Sequence, residues 1–453
     1  MKKIAKARTL DMTQGNSLKL LLTFAVPLLM GTLFQQIYTT VDTMVVGHVL
    51  GDEAISAIGS TSSIHMLLFN LAISLNNGYA IITTQAFGAH DEEKLRRSIA
   101  GMFVLDAGAV ALLTALAVVF LRPMMIFMNT PVSIFEQAYG YMLTLFIGMF
   151  ATIGYNMFAS ILRAMGNSRT PLYCLIVSSV TNVALDLLFV AVFSMGVIGA
   201  ALATVIAQLV SMTLCGGAFF KHYRQLVPRR DDFMASRKLW PQMLTMGTSM
   251  AMMMCVVNIG SIIFQRANNS LGQIIITAHT AGHKLVNMLM QPMGTLAAAC
   301  STFVSQNWGA KQYRRIKMGL RQVMGMEILW SLIAIAIVYL LDGVLVRLIS
   351  GTENPEVLSN ATMAMRICVL GFPVLGILNC LRTSMQAMGK KVAPVLSSCV
   401  ELVMKAVGAW VMIPLYGYFG SCLTEPLTWL AMTAFLAAAY WCQRNRIYPA
   451  EEG

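Results

Sequence analysis

The chain has 453 residues, of which 57% are hydrophobic and 11% charged, where soluble domains carry about 25% charged residues. That balance excludes a soluble globular protein. The net charge of +12 does not point to nucleic acid, because the Lys and Arg residues form no contiguous basic face and fall instead in alternate loops.

Residues 1–17 are polar and carry Lys2, Lys3, Lys6 and Arg8, like the basic start of a signal peptide. The apolar segment that follows, Leu18 to Val46, runs about 29 residues without a small-residue cleavage site, which suits a retained first helix. It contains Pro27 and, deeper, Asp42 in Tyr38-Thr39-Thr40-Val41-Asp42. Apolar stretches able to cross a hydrocarbon core of about 30 Å then recur as far as Trp441. Polar breaks and Gly/Pro clusters predict an all-α polytopic membrane protein of about twelve transmembrane helices. They begin near residues 18, 54, 94, 132, 171, 196, 240, 272, 316, 355, 394 and 418.

Basic residues gather in alternate segments: Lys94, Arg96 and Arg97, the group from Lys221 to Lys238, the group from Lys311 to Arg321, and Arg444 with Arg446. The intervening segments hold only Arg122, Arg266 and Arg347. Positive charge is retained on the cytoplasmic side, so both termini are expected in the cytoplasm. The longest polar connection, with Pro228, falls at the midpoint and reads as a linker. The expected organisation is a cytoplasmic tail over 1–17, an N-lobe over 18–222, a cytoplasmic linker over 223–239, a C-lobe over 240–444 and a second tail over 445–453.

Nine cysteines are scattered without a C-x-x-C pair, so they indicate neither a disulfide framework nor a zinc site. The 35 methionines suit membrane-helix packing, or a flexible lining that accepts varied ligands.

An internal repeat gives the architecture. Gln85-Ala86-Phe87-Gly88-Ala89 recurs as Gln306-Asn307-Trp308-Gly309-Ala310, Ala164-Met165-Gly166 with Pro171 recurs as Ala387-Met388-Gly389 with Pro394, and Gly196-x-x-Gly199 recurs as Gly417-x-x-Gly420. Three matches in register, each at the same loop of its half, indicate duplication. Six helices per half is an even number, so the two bundles have the same orientation and are related by a pseudo-two-fold axis along the membrane normal. An interface of this kind commonly houses a substrate site.

The two-lobe plan, Pro27 with Asp42, the Gln-x-x-Gly-Ala loops and the A-M-G-x4-P loops together resemble the multidrug and toxic compound extrusion (MATE) family, over about residues 15 to 445. The resemblance implies a bacterial inner-membrane, multi-pass, monomeric exporter of amphipathic, often cationic organic compounds. It implies antiport with H+ or Na+ by alternating access and no cofactor.

A carboxylate at the centre of a membrane helix costs about 2.5 to 3.5 kcal/mol, so each requires a reason. Asp42 and Asp186 are such residues, and Asn182 lies one helical turn before Asp186 on the same face. With Thr204 they supply carboxylate, amide and hydroxyl oxygens, which suits Na+ better than a soft metal. They suit a proton equally, since two neighbouring carboxylates do not both ionise readily. Asn182 and Thr204 also have a plainer role in helix-packing hydrogen bonds. By position, the four resemble the N-lobe cation site of the DinF-type branch.

The second half does not copy these acids. Its eleventh span carries Glu401 and Lys405 at i,i+4 spacing, expected to pair and to serve substrate handling or gating, with a structural clamp as the alternative. Glu425 falls at the position equivalent to Thr204, and the C-lobe acids of the NorM-type branch are not matched. Asp106 and Glu327 are equivalent between halves, and a structural partner such as a loop arginine is expected for them. His279 and His283 have metal-ligand spacing but no third ligand, which favours packing.

A lipid-linked saccharide flippase of the same superfamily is the alternative function, though it calls for a strongly cationic cavity. An enzyme lacks a nucleophile and base at workable spacing, and no G-x4-G-K-[ST] loop exists for ATP.

Overall fold

A computed structural model describes residues 9–350 and 354–443. The basic residues Lys2, Lys3, Lys6, Arg8, Arg444 and Arg446 and the tail over 445–453 lie outside the described residues. Every regular element among the described residues is helical. In lipid each backbone N–H and C=O must be satisfied within the segment, and long apolar helices achieve this without partners.

The first half comprises α1 (Ser17–Leu50), α2 (Asp52–Gly88), α3 (Glu92–Phe127), α4 (Val132–Ile147), α5 (Met149–Ala164), α6 (Arg169–Asp186) and α7 (Gly196–His222). A 3-10 turn, Arg224–Leu226, and a short helix, α8 (Arg230–Ser236), precede the second half. There follow α9 (Trp240–Asn269), α10 (Gln273–Gly309), α11 (Tyr313–Ser350), α12 (Pro355–Leu370), α13 (Phe372–Ala387), α14 (Val392–Val407) and α15 (Ile413–Cys442).

Among the described residues, eight helical segments are long and apolar enough to cross a membrane, or ten when the bent pairs α4–α5 and α12–α13 each count as one span. The stretch Val392–Cys442 enters that tally as a single helix of 51 residues. It is broken at Gly417, where φ is 59° and ψ is −139°. Dividing it there gives eleven, and the 37-residue α10, long enough to span but not among the helices that are also apolar enough, brings the long helical segments to the twelve expected from the sequence, with starts displaced by a few residues. The bends of 41° at Gly148 and 49° at Gly371 were not expected, nor were the π turns Leu187–Val192 and Gly408–Met412 that continue α6 and α14.

The duplication is visible in the backbone. His90 and Lys311, one position beyond the two Gln-x-x-Gly-Ala motifs, both take a left-handed conformation with φ of 56°. The N–H groups of Asp91 and Gln312 then bond back to the carbonyls of Ala86 and Asn307. Gly166 and Gly389 have φ of 77° and 78°, and the next residues, Asn167 and Lys390, bond to the carbonyls of Leu162 and Met385. This is a helix stop in which a left-handed residue satisfies the last carbonyls. The repeated glycines of the A-M-G loops are therefore conformational requirements.

The chain divides into two compact units. One contains Val26–Ala251 together with the segment ending at Met12, and the other contains Thr13–Ala25 and the chain from Met252 onward. In the first, Tyr79, Phe87, Phe158, Phe219 and Met243 form one apolar cluster, and Phe69, Met125, Phe146 and Ile153 form another. Gly78 of α2 and Gly247 of α9 let two backbones touch: a Cβ on Gly78 would stand 2.4 Å from the Cα of Gly247. Small residues at such crossings permit dispersion contact that bulkier side chains block. The residues between α7 and α9 pack on this unit, with Arg96 Nε of α3 donating to Asp232 Oδ2 at 3.2 Å. The core of the second unit includes Val286, Met293, Phe372, Met385 and Met432. Met102, Met142, Met243, Met293 and Met385 are fully buried, so these methionines serve as helix packing.

Candidate functional site

In the first unit, α1 and the end of α6 bring Asp42 and Asp186 together, each acting electrostatically on the other. Asp186 is wholly buried and Asn182, one turn earlier, is 1% exposed. Asp42 Oδ1, both carboxylate oxygens of Asp186 and both amide atoms of Asn182 are buried without a hydrogen-bond partner among the described residues. Asp186 ends α6 where the π turn begins. Such a turn releases backbone from the regular ladder and is frequent at functional sites. The Thr204 hydroxyl donates to the Ala200 carbonyl of its own helix at 3.1 Å.

Two tyrosines that the sequence reasoning missed complete this region. Tyr38, one turn before Asp42, lies beside Asp42 and Gln208, and Tyr141 of α4 feels both carboxylates. The i,i+4 spacing of Tyr38 and Asp42 was a usable signal. Tyr141 comes from another helix and gave none. Gln35 and Gln208 line a cavity of about 260 Å³ together with Pro27, Tyr155, Asn156 and Arg163. Polar side chains thus connect a chamber within this unit to the carboxylates.

The second unit holds a different arrangement. Lys405 Nζ lies 3.1 Å from Glu401 Oε1, so the i,i+4 pair forms, but Arg382 Nη2 of α13 also lies 3.6 Å from Glu401 Oε2. Arg382 donates to the hydroxyls of Ser397 and Ser398, and Lys405 donates to Ser261 Oγ of α9 at 2.8 Å. Glu425 is not part of this cluster; its Oε2 lies 3.8 Å from Cys368 Sγ.

A family model described as MatE matches residues 27–188 and 249–411, both halves of the duplication. The chain belongs to the MatE family. It is 28% identical over 306 residues to "Probable multidrug resistance protein YpnP" of Bacillus subtilis, covering 68% of each chain. It is 25% identical over 427 residues to "Probable multidrug resistance protein YoeA" of the same organism, covering 87% of this chain and 92% of that one. Among solved structures, "Crystal structure of MATE in complex with MaL6" matches with a TM-score of 0.88 at 18% identity, covering 98% of this chain and 99% of that one. The MatE fold carries transporters of small compounds and not enzymes.

Other polar residues of this MatE transporter take plainer places. Asp106 does not meet a loop arginine: Asn76 Nδ2 of α2 donates to its Oδ2 at 2.8 Å. At the duplication offset Asn76 becomes Ala297, and Glu327, fully buried, has neither carboxylate oxygen hydrogen-bonded. An amide neighbour rather than a loop cation explains Asp106, and its replacement by alanine explains why Glu327 has no counterpart bond. His279 and His283 stack with ring centroids 4.1 Å apart, His279 lies 3.5 Å from Asn268 Nδ2, and no group of three metal-ligating side chains occurs among the described residues.

Proposed function

We propose that this MatE-family transporter exports amphipathic, often cationic organic compounds by antiport with H+ or Na+, through alternating access. Asp42 is the principal coupling residue, and Asp186, Asn182 and Thr204 complete an oxygen-lined cation site. Glu401, Lys405 and Glu425 act on substrate or gating in the C-lobe. The protein works as a monomer in the bacterial cytoplasmic membrane with both termini inside.

The observation that carries this reading is the meeting of Asp42 and Asp186 with buried, unpartnered oxygens. Two ionised carboxylates without a cation are costly in a low-dielectric interior, and one bound proton or Na+ removes that cost. The donors are all hard oxygens apart from the amide nitrogen, which suits Na+ and excludes a preference for soft metals. The multidrug resistance names of the relatives support an efflux class.

Asp42→Asn keeps the shape of the acid but exchanges no proton and lends no charge to Na+. An ion drives transport only if it binds two conformations differently. Without that difference the gradient biases nothing. Efflux of a fluorescent cation from vesicles, with proton and sodium gradients imposed separately, tests this: the wild type concentrates dye under one gradient, and the variant binds dye but does not concentrate it. Uphill transport by a correctly inserted Asp42→Asn protein would move the coupling site elsewhere, with Glu401 the leading candidate.

A further inference from the structure

The cluster around Glu401 carries one positive charge more than it neutralises. Arg382 and Lys405 share a single carboxylate, and neither has a second acidic partner among the described residues. Their side chains are 18% and 11% exposed, so they are held inside the unit yet remain reachable. Donors are also left over. Lys405 Nζ has three N–H groups and uses two, on Glu401 and Ser261. Arg382 directs Nε and Nη2 at Ser397, Ser398 and Glu401, and Nη1 has no hydrogen-bond partner among the described residues.

The duplication sharpens the contrast. Registered on the A-M-G-x4-P loops, Lys405 stands where the first half has Asn182, and Glu401 stands where it has Ser178. The same region of the helix therefore serves two neighbouring carboxylates in one unit and two neighbouring cations in the other. Both copies are followed closely by a π turn. An excess cation inside a membrane protein is costly unless an anion joins it. A planar guanidinium beside an ammonium matches the two oxygens of a carboxylate.

We propose that Arg382 and Lys405, bridged by Glu401, form a C-unit subsite for a carboxylate carried by an amphipathic substrate, so that zwitterionic compounds are recognised at their anionic end. This rests on the efflux reading above and names the chemistry of one end of its substrate. Glu401 holds the two cations in place when the subsite is empty and shares them with the incoming carboxylate.

The test uses two dyes that differ only at that group: rhodamine B, with a free carboxylate, and its ethyl ester. Binding is measured with the full chain in phosphatidylcholine nanodiscs. The wild type is expected to bind both dyes. In Arg382→Gln the ratio of affinities shifts about tenfold against rhodamine B, the worth of one charge-assisted hydrogen bond. In Glu401→Gln the competing carboxylate is gone, so rhodamine B binds more tightly. The free variant melts earlier, and rhodamine B restores its melting temperature more than the ester does.

An unchanged dye ratio in Arg382→Gln overturns the proposal, as does rhodamine B binding that weakens in Glu401→Gln. If Glu401→Gln does not fold, Lys405→Gln replaces it, with a ratio shift in the same direction as Arg382→Gln expected. Displacement of rhodamine B, but not of the ester, by added phosphatidylglycerol would assign the subsite to a lipid headgroup and also overturn it. Wild-type binding of the ester alone defeats the subsite and leaves the efflux reading standing, whereas binding of neither dye defeats the efflux reading itself.

Discussion

Glu401 has two cationic neighbours, and this reverses the effect of removing one of them. Judged from the i,i+4 pair alone, deleting Lys405 would strand a buried carboxylate and be worse than deleting both partners. With Arg382 3.6 Å from the same carboxylate, Lys405→Met leaves a neutral pair. Glu401→Gln instead leaves two cations facing each other, and breaking a buried pair by removing one partner costs about 3 to 5 kcal/mol. Melting temperatures in detergent should therefore fall most for Glu401→Gln and least for Lys405→Met. The opposite order would mean that Arg382 does not share the carboxylate. The in-helix pair was legible because its geometry is fixed by helical spacing. Arg382 was not, because it arrives from α13 through tertiary packing, and the same holds for Asn76 beside Asp106. Asn76→Ala leaves Asp106 Oδ2 without its donor and should cost about 1 to 3 kcal/mol of stability, read by the same melts.

At the scale of single elements, glycines divide into those that the fold needs and those that it tolerates. Gly78 faces the backbone of Gly247, so Gly78→Ala must push α2 and the first half of α9 apart. Gly217, on the exposed side of α7, would meet nothing within 4 Å, and Gly217→Ala gains helix propensity of about 1 kcal/mol. Thermal melts should show a clear loss for the first variant and none for the second. Equal behaviour would mean that the close crossing is absent. Gly417 is needed for a different reason: nothing crowds it, but its φ of 59° with ψ of −139° lies in a region that side-chain-bearing residues rarely enter, at a cost of about 1 to 3 kcal/mol. The sequence announced Gly166, Gly196, Gly389 and Gly417 through their repetition. It did not announce the bends at Gly148 and Gly371 or the π turns, because hydropathy records how apolar a span is and not how its hydrogen bonds are arranged.

For the whole molecule, the twelve spans were readable because crossing a bilayer demands long apolar helices, and the duplication was readable because its loops require particular backbone conformations. Contacts within each unit bring some of those loops together. Arg96, just after α2, pairs with Asp232 in the segment between α7 and α9, and Asn167, after α5, donates to the Tyr223 hydroxyl after α7 at 3.1 Å. In the second unit Arg315, after α10, donates to the carbonyl of Gly15 just before α1 at 2.9 Å. In the first unit two pairs of neighbouring loops thus meet, and in the second the basic loop after α10 meets the segment before α1, a pattern consistent with positive charge kept on one side of a membrane. Asn268, at the opposite end of α9, is 1% exposed and accepts from Ser421, so it cannot report on that side. Ser270, exposed in the turn that follows, can. In a background with Cys399 and Cys442, the exposed natural thiols, replaced, Ser270→Cys should react with an impermeant maleimide in intact cells. Arg230→Cys should react only after the membrane is opened. The reverse pattern would invert the topology, and with it the direction in which Asp42 and Asp186 meet the ion gradient.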